Sequence, residues 1–302
     1  MRTDIGSKGA IAIERSRAAD YLALTKPELT FLSVLTALAG YYLGTEGTLA
    51  GMGVLHTLLG TALVGGGAGA INQYMERHFD ALMKRTEQRP LPAGRVAPGE
   101  ALWFGVTLTA AGLLELALLV NPLTGFLAAL TSVTYLFLYT PLKRVTPFST
   151  LVGGIPGALP PVMGWTAARN EISAEAWILF GILFLWQMPH FLSLAWMYRK
   201  DYARAGYRLI TVLDTEGTRT GFYIIASAAA LVPVSGLLTA TGATGPVYAA
   251  GALLAGIAFL VPAVRLAAVR SSAAARVLFF ASLLYLPVLM LALVLDRLIL
   301  SL

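Results

Sequence analysis

The sequence of 302 residues contains no cysteine and few charged residues. Without cysteine there is no disulfide framework, no thiolate metal site and no thiolate nucleophile. Charged residues make up 13% of the chain and hydrophobic residues 57%, whereas soluble domains carry about 25% charged residues. This deficit predicts an integral membrane protein. The charged residues that give the net charge of +6 lie between apolar segments. Membrane topology explains this distribution, so no nucleic-acid partner is expected.

Long apolar segments fill most of the chain. A helix needs about 20 apolar residues to cross a bilayer, and no connection between the segments is long enough to fold alone. The sequence therefore predicts an all-α integral membrane protein with nine transmembrane helices. One domain at 28–302 would follow a short, disordered cytoplasmic tail at 1–27. The predicted spans are residues 28–45, 51–75, 101–120, 123–141, 148–168, 175–197, 221–240, 246–268 and 277–300.

The distribution of basic residues predicts the orientation. Lysine and arginine are enriched in cytoplasmic loops, and all of them except Arg169 and Arg297 fall in the tail or after the second, fourth, sixth and eighth predicted spans. The N-terminus is therefore predicted to be cytoplasmic and the C-terminus outside, in a bacterial inner membrane. The tail lacks the apolar core of a secretory signal, and Asp4, Glu14 and Asp20 argue against a mitochondrial transit peptide.

A row of polar residues marks the cytoplasmic end of the second predicted span. Asn72, Glu76 and Asp80 are spaced four residues apart, so they share one helix face. Amide and carboxylate oxygens are ligands that Mg²⁺ accepts, together with substrate phosphates. Three basic residues that could bind phosphate oxygens follow in the next loop: Lys84, Arg85 and Arg89. The pattern suits a metal–diphosphate group, although a helix end with solvated charges has the same spacing.

The sixth predicted span and the loop after it carry a second polar cluster. Gln187 and His190 lie at membrane depth, where polar side chains are costly and usually face a cavity. Two further sets of polar residues are expected at the cytoplasmic end. They are Arg199, Lys200, Asp201 and Tyr202 after the sixth span, and Lys143 and Arg144 after the fourth. Glu115, in the third span, has no evident partner in the sequence.

Several separated strings resemble the UbiA superfamily of intramembrane prenyltransferases and, within it, the heme O synthase branch. The first superfamily motif is Asn-x-x-x-Asp-x-x-x-Asp, and Glu76 departs from it but keeps the carboxylate. More specific is the string Met-Lys-Arg-Thr-Glu-Gln-Arg-Pro-Leu-Pro at 83–92. The other similar strings are residues 139–144, 153–165, 186–191 and 201–206. The resemblance covers roughly residues 20–300.

The resemblance implies a prenyl transfer with farnesyl diphosphate and heme b as substrates. The residues that it implies for catalysis and for binding Mg²⁺ are Asn72, Glu76, Asp80 and Asp201. Those implied for the diphosphate or the heme propionates are Lys84, Arg85, Arg89, Lys143, Arg144, Arg199 and Lys200. Gln187, His190 and Tyr202 complete the substrate site, with His190 expected to contact the heme. Membrane lipid, heme A synthase and oxidase assembly factors are the other expected partners.

Two departures bear on the acceptor substrate. Quinone-type members usually carry a second carboxylate where this chain has Ala205, which favours the heme branch over a quinone precursor or chlorophyllide. The heme branch often continues Pro-Met-Leu-Pro after Gly206, where this chain reads Tyr-Arg-Leu-Ile. A transporter or channel is the alternative from another class, but its charges are expected near the midplane. A non-catalytic scaffold for oxidase assembly would not need the aligned row.

Overall fold

The computed structural model describes residues 16–45, 49 and 51–300, and every regular element within them is a helix. Residues 1–15 of the predicted tail lie outside the described residues. The elements are α1 Arg17–Leu24, α2 Pro27–Gly44, α3 Met52–Asp80, α4 Pro98–Leu119, α5 Pro122–Val133, a π-helical turn Thr134–Tyr139, α6 Thr140–Leu142, α7 Ser149–Arg169, α8 Ala174–Met197, α9 Arg199–Arg204, α10 Ile210–Leu213, α11 Thr218–Ala240, α12 Pro246–Val269 and α13 Ser272–Leu300.

Long helices occupy the nine predicted places, but fewer of them qualify as spans by length and apolarity. Within the described ranges seven qualify, or eight if α1 and α2, which meet at 51°, form one broken span. The predicted count of nine spans is therefore higher than this test supports. One reason is α7, which contains three prolines and packs between α2, α5 and α8. Because it lies inside the bundle, it needs no strongly apolar surface toward lipid.

The beginning of the bundle lies earlier than the predicted boundary at residue 27. Residues 17–24 form α1, and the Ser16 hydroxyl caps it by accepting the Ala19 N–H at 3.2 Å. Asp20, buried in α1, accepts two hydrogen bonds from Arg95 Nε, at 2.9 and 3.1 Å. The sequence prediction of a disordered tail is therefore wrong for α1, because its polar groups pair with the connection between α3 and α4.

Glycines bring α2 and α7 into backbone contact. A Cβ atom added to Gly40 would lie 1.9 Å from the Pro161 carbonyl oxygen, and one added to Gly164 would lie 1.8 Å from that of Ala37. No larger residue fits at either position without moving a backbone, and small residues commonly allow membrane helices to approach in this way. The contact fixes α2 against the centre of the bundle.

Large apolar side chains cover the outside of the bundle. Trp103, Phe126 and Leu254 are each more than 60% exposed, as expected for side chains that face lipid rather than water. Inside, α8 packs against α7, α11 and α13, while α3 packs along α4. The polar ends of α3, α6 and α8 meet at one end of this bundle, through the contacts described next.

Candidate active site

The predicted polar row is intact and buried. α3 continues past the predicted end at residue 75 to Asp80, so Asn72, Glu76 and Asp80 all lie on one helix. Their exposed fractions are 0%, 6% and 1%. Two carboxylates with so little solvent contact require partners, because an unpaired buried charge is costly. The row is therefore not a helix end with solvated charges.

Each member of the row is paired with one basic residue, and the three basic residues come from three different connections. The pairs are Lys26 with Asn72, Lys143 with Glu76, and Arg89 with Asp80. The Lys143 Nζ to Glu76 Oε1 and Arg89 Nη1 to Asp80 Oδ2 distances are both 2.8 Å. The geometry thus joins the α1–α2 break, the end of α6 and the loop after α3 on one helix face.

Tyr207 also contacts the row. Its hydroxyl donates to Glu76 Oε1 at 3.1 Å. Burial, together with the adjacent Glu76 carboxylate, raises the pKa of the Tyr207 phenol, so the hydroxyl remains a donor. Burial disfavours the charged form of Lys143, but Glu76 and nearby tyrosines outweigh burial and hold the pKa of Lys143 well above its usual value. Lys143 is therefore a cation at this site.

The π-helical turn between α5 and α6 lies beside the Asn72 end of the row. Asn72 Nδ2 donates to Thr140 Oγ1 at 2.8 Å, and Lys26 Nζ donates to the Tyr135 hydroxyl at 3.2 Å. Thr140 and Tyr135 are linked in turn, since Thr140 Oγ1 donates to the Tyr135 carbonyl oxygen at 2.8 Å. Both belong to or adjoin the π-helical turn Thr134–Tyr139, and such turns occur frequently at functional sites.

The donor chemistry of the row fits a hard divalent cation. No hydrogen bond from the described residues reaches Glu76 Oε2 or Asp80 Oδ1, so each carboxylate keeps one oxygen for a ligand. Carboxylate and amide oxygens with substrate phosphates are the usual ligands of Mg²⁺. Even so, across the described part of the chain no three His, Cys, Asp or Glu side chains come together as a metal-binding group.

The loop after α8 reaches the row through tyrosines rather than through Asp201. Arg85 Nη2 donates to the Tyr202 hydroxyl at 3.1 Å, and the Tyr202 ring meets the Tyr207 ring edge to face at 5.6 Å. Asp201 instead pairs with Arg204, one turn later, at 3.3 Å. The role of Asp201 as a metal ligand therefore stays a prediction.

An apolar cluster joins the two loops. Met83, after α3, packs with Ala205, Tyr207 and Leu209, after α9, and each of these is less than 9% exposed. The backbone N–H of Arg208 also donates to the Lys143 carbonyl oxygen at 2.9 Å. Position 205, where quinone-type members usually carry a second carboxylate, is therefore a buried alanine within this apolar cluster.

The remaining predicted basic residues line the same end without contacting the row. The Arg144 guanidinium lies 4.0 Å from the centre of the Phe79 ring, and that of Arg199 lies 4.6 Å from the Trp196 ring. Both contacts are within the distance for cation–π attraction. Lys84 and Lys200 are exposed. These four are available to anionic groups that arrive from outside the bundle.

His190 lies deeper, in an aromatic stack. Its ring stacks on Trp186 at 5.2 Å and on Phe279 at 4.9 Å between ring centres. Nδ1 lies 2.7 Å from Ser282 Oγ, and Trp186 Nε1 donates to the Ser282 carbonyl oxygen at 2.9 Å. The ring is therefore held in one orientation by α13, with Nε2 as the nitrogen that Ser282 does not engage.

Gln187 and Glu115 have structural partners. Gln187 is buried and donates to the Gly154 carbonyl oxygen in α7 at 2.7 Å. Glu115, unassigned from the sequence, lies 2.7 Å from His56 Nδ1. His56 is near the start of α3, about 36 Å of helix from Asp80 at 1.5 Å per residue. The His56–Glu115 pair is thus remote from the row.

Four residues at the row were missed from the sequence: Lys26, Tyr135, Thr140 and Tyr207. Lys26 was counted only as a basic residue of the tail, and nothing in a linear pattern pairs it with α3. Tyr207 did give a signal, since it stands where the heme branch often has proline. Thr140 lies in the string 139–144 that resembles the heme branch, but no role was predicted for it. Neither Thr140 nor Tyr135 follows a spacing that connects it to residue 72, because their contacts depend on how α5 packs.

Comparisons with known proteins agree with this architecture. Residues 33–284 match the model of the UbiA prenyltransferase family. A protoheme IX farnesyltransferase from Solibacter usitatus (strain Ellin6076) is 46% identical over 287 residues, covering 92% of this chain and 98% of that protein. One from Salinibacter ruber (strain DSM 13855 / M31) is 49% identical over 277 residues, with the same coverage.

Solved structures share the fold at low sequence identity. A digeranylgeranylglyceryl phosphate synthase superposes with a TM-score of 0.77 at 16% identity, covering 93% of this chain and 98% of that one. A UbiA homolog from Archaeoglobus fulgidus bound to GPP and Mg²⁺ gives 0.66 at 16% identity, covering 91% and 99%. One from Aeropyrum pernix K1 gives 0.70 at 21% identity, covering 89% and 98%. The all-helical bundle is common to all of them.

Proposed function

Because the chain belongs to the UbiA prenyltransferase family, we propose that it transfers the farnesyl group of farnesyl diphosphate to a vinyl group of protoheme IX (heme b). Water adds in the same reaction, which gives heme O and diphosphate. The observation that carries the proposal is near full-length identity of 46% and 49% to relatives named protoheme IX farnesyltransferase. The buried row, with the basic partners Lys143 and Arg89 on its carboxylates, supplies the chemistry that such a transfer needs.

The leaving diphosphate determines what the row must do. When the carbon–oxygen bond of farnesyl diphosphate breaks, negative charge grows on the diphosphate and an allylic cation remains. Lys143 and Arg89 lie within 2.8 Å of the row, so their positive charges are already in place where that charge develops. Positive charges in a site shielded from water stabilise such a change more strongly than they would in water.

The row is also the proposed metal site. Asn72, Glu76 and Asp80 would hold Mg²⁺ through oxygens on one face of α3, with Asp201 as a fourth proposed ligand. A Mg²⁺ ion bound there supplies a Lewis acid that neutralises the leaving group. The A. fulgidus homolog bound to GPP and Mg²⁺ has the same fold, which supports a divalent cation.

The acceptor side requires a different environment. A vinyl carbon of heme b attacks the allylic cation to form a carbon–carbon bond, and water captures the resulting porphyrin-side cation with loss of a proton. The apolar interior keeps water from the allylic cation before this step. His190, held by Ser282 with Nε2 directed elsewhere, is the proposed contact for the heme. Arg85, Arg144, Arg199 and the exposed lysines Lys84 and Lys200 would share the diphosphate and the propionates.

The location follows from the same proposal. The chain is a multi-pass membrane protein, and the row is proposed to face the cytoplasm of a bacterial inner membrane because nearly all basic residues lie at that end. The N-terminus would be cytoplasmic and the C-terminus outside. Heme A synthase and oxidase assembly factors remain the proposed protein partners, since they would receive a heme O product.

A quinone precursor or chlorophyllide is the nearest alternative acceptor. Ala205 argues against it, because this position packs into the apolar cluster with Met83 and Tyr207. A transporter is not favoured, since the row and its basic partners lie at one end of the bundle rather than at the midplane. Purified protein in nanodiscs should release diphosphate from farnesyl diphosphate when heme b is present. Release with 4-hydroxybenzoate but not with heme b would instead support the quinone branch.

A further inference from the structure

The Ser282 hydroxyl contacts two groups that could each accept its single hydrogen. It lies 2.7 Å from His190 Nδ1 and 2.5 Å from the Phe279 carbonyl oxygen, three residues earlier in α13. A carbonyl oxygen has no hydrogen to donate, and two oxygens at this distance would repel each other without a hydrogen between them. Ser282 therefore donates to Phe279. Its lone pairs remain, so the contact with the imidazole has Nδ1–H as the donor.

The hydroxyl and the imidazole ring are held together from both helices. Ser282 is fully buried, and its carbonyl oxygen accepts Trp186 Nε1 from α8 at 2.9 Å. The faces of the imidazole ring are covered by Trp186 and Phe279, with which it stacks. A ring turned over within this stack would place a carbon atom against the hydroxyl and lose the hydrogen bond. The surrounding residues therefore keep Nδ1 on the side of Ser282.

A hydrogen on Nδ1 determines the chemistry of the other ring nitrogen. A neutral imidazole carries one ring hydrogen, so Nε2 keeps a lone pair when Nδ1 is the donor. In the part of the chain that the structure describes, no hydrogen bond reaches Nε2, and His190 is partly exposed. Nε2 is thus open to a group that accepts an electron pair. The iron of heme b is such a group, and histidine is a common ligand of heme iron.

We propose that Ser282 is a positioning residue that keeps His190 in the Nδ1–H tautomer, so that Nε2 coordinates the iron of the heme substrate. This inference rests on the proposed prenyl transfer to heme and names the atom that holds the acceptor. Metal-binding histidines usually donate their other ring N–H to a neighbouring oxygen, which fixes the tautomer and the ring orientation. Here a serine hydroxyl is that oxygen, because Phe279 takes its hydrogen.

The tautomer can be measured in the protein without heme. The chain has three histidines, so His56→Gln together with His78→Gln leaves His190 as the one imidazole that isotopically labelled histidine marks. Nitrogen NMR in nanodiscs, at alkaline pH where histidine is neutral, distinguishes a ring nitrogen that carries hydrogen from one that does not. We expect hydrogen on Nδ1 and none on Nε2. Hydrogen on Nε2 would overturn the proposal without any change at Ser282.

Heme titration tests what the tautomer does. Ferric heme b added to the wild-type protein should give the absorption and electron paramagnetic resonance spectra of an imidazole-ligated heme. Ser282→Ala removes the acceptor of Nδ1–H, so we expect hydrogen on Nε2 and heme affinity lowered about tenfold or more. Ser282→Thr keeps the hydroxyl and should restore both. Ser193→Ala removes a hydroxyl that donates to the His190 carbonyl oxygen and should change neither.

Two results of the titration would overturn the proposal: a Ser282→Ala protein with the tautomer and heme affinity of wild type, or a wild-type heme spectrum without imidazole ligation. Size-exclusion profiles check that each variant is folded, and the wild-type NMR and heme spectra decide the matter if Ser282→Ala is not. The proposed function fails separately. Imidazole-ligated heme that is never converted to heme O refutes the transfer alone, and heme O formation with hydrogen on Nε2 refutes the role of Ser282 alone.

Discussion

The two ends of the bundle satisfy their buried carboxylates in different ways. At the end remote from the row, Asp296 is fully buried and accepts the backbone N–H groups of Gly245, Val247 and Tyr248. These groups begin α12, so Asp296 caps that helix. At the other end, Glu76 and Asp80 are paired with the side chains of Lys143 and Arg89. One end uses fixed backbone donors and the other uses long, flexible cations.

This difference separates a structural carboxylate from the two carboxylates of the proposed metal site. Backbone N–H groups at a helix start cannot leave their acceptor without unwinding the helix, so the Asp296 contacts serve stability. Lysine and arginine side chains can change partners by rotating, so Glu76 and Asp80 can exchange cations when a ligand arrives. The comparison predicts that mutations at the two ends will affect different measured quantities.

The largest effect is expected at the row. Asp80→Asn removes one charge without changing the shape of the side chain, and we expect kcat to fall about 10²–10³-fold, as for loss of one group that stabilises transition-state charge. Because the Arg89 side chain is 26% exposed, it stays hydrated without its partner, and the midpoint of thermal unfolding should change little. Diphosphate release from farnesyl diphosphate in nanodiscs measures the rate. A rate near that of wild type would remove Asp80 from the proposed metal site, and Glu76→Gln provides the matched variant.

His190, between the two ends, should affect heme alone. His190→Ala removes the ring that stacks between Trp186 and Phe279, and we expect heme b affinity to fall about tenfold or more. Absorption spectra of the heme titrated into purified protein measure this affinity. Inorganic diphosphate should bind as in wild type. Heme spectra and affinity that do not change would exclude His190 as the heme contact.

At the remote end, Asp296→Ala should lower stability rather than rate. Loss of a helix cap costs about 0.5–2 kcal/mol of unfolding free energy, and the three lost hydrogen bonds place Asp296 at the upper part of that range. Asp296→Asn keeps an acceptor oxygen and should lose less. Thermal unfolding in detergent gives the stability, and turnover per folded molecule should match wild type. A large loss of turnover in folded Asp296→Ala would break the distinction between the ends.

The smallest effect is expected from Tyr207→Phe. The substitution removes the hydrogen bond to Glu76 Oε1 while Lys143 still pairs with the same oxygen. Loss of one such hydrogen bond corresponds to about 0.5–1.5 kcal/mol, so kcat/KM should fall only severalfold. Steady-state kinetics at varied concentrations of farnesyl diphosphate measure kcat/KM. A loss as large as that of Asp80→Asn would mean that Tyr207 has a direct part in the chemistry.

The polar row was predictable because its signal is local. A spacing of four residues places Asn72, Glu76 and Asp80 on one face of any helix, whatever surrounds it. The apolar segments likewise predicted the helices, because lipid requires every backbone group to be satisfied within the segment. The number of spans was predicted less well, because α7 contains prolines and glycines and is buried inside the protein.

The pairing within the site was not predictable from the same patterns. Arg89 and Lys143 were expected at a diphosphate, but which carboxylate each would meet depends on the packing of the loop after α3 against α6. Lys26 was hidden in a segment that looked like a polar tail, and its contact with Asn72 requires the bend of 51° between α1 and α2. Such contacts between distant segments follow from the packed bundle, not from local spacing.

The most direct test of the central claim is to extract the hemes from membranes of cells that express this chain and to identify them by mass. Cells would carry either the intact chain or Asp80→Asn, with equal amounts of inserted protein and ample farnesyl diphosphate. The account predicts a heme bearing a hydroxyethylfarnesyl group only with the intact chain. Unmodified heme b in both samples would contradict transfer to heme and would leave the quinone-type acceptors as the next substrates to examine.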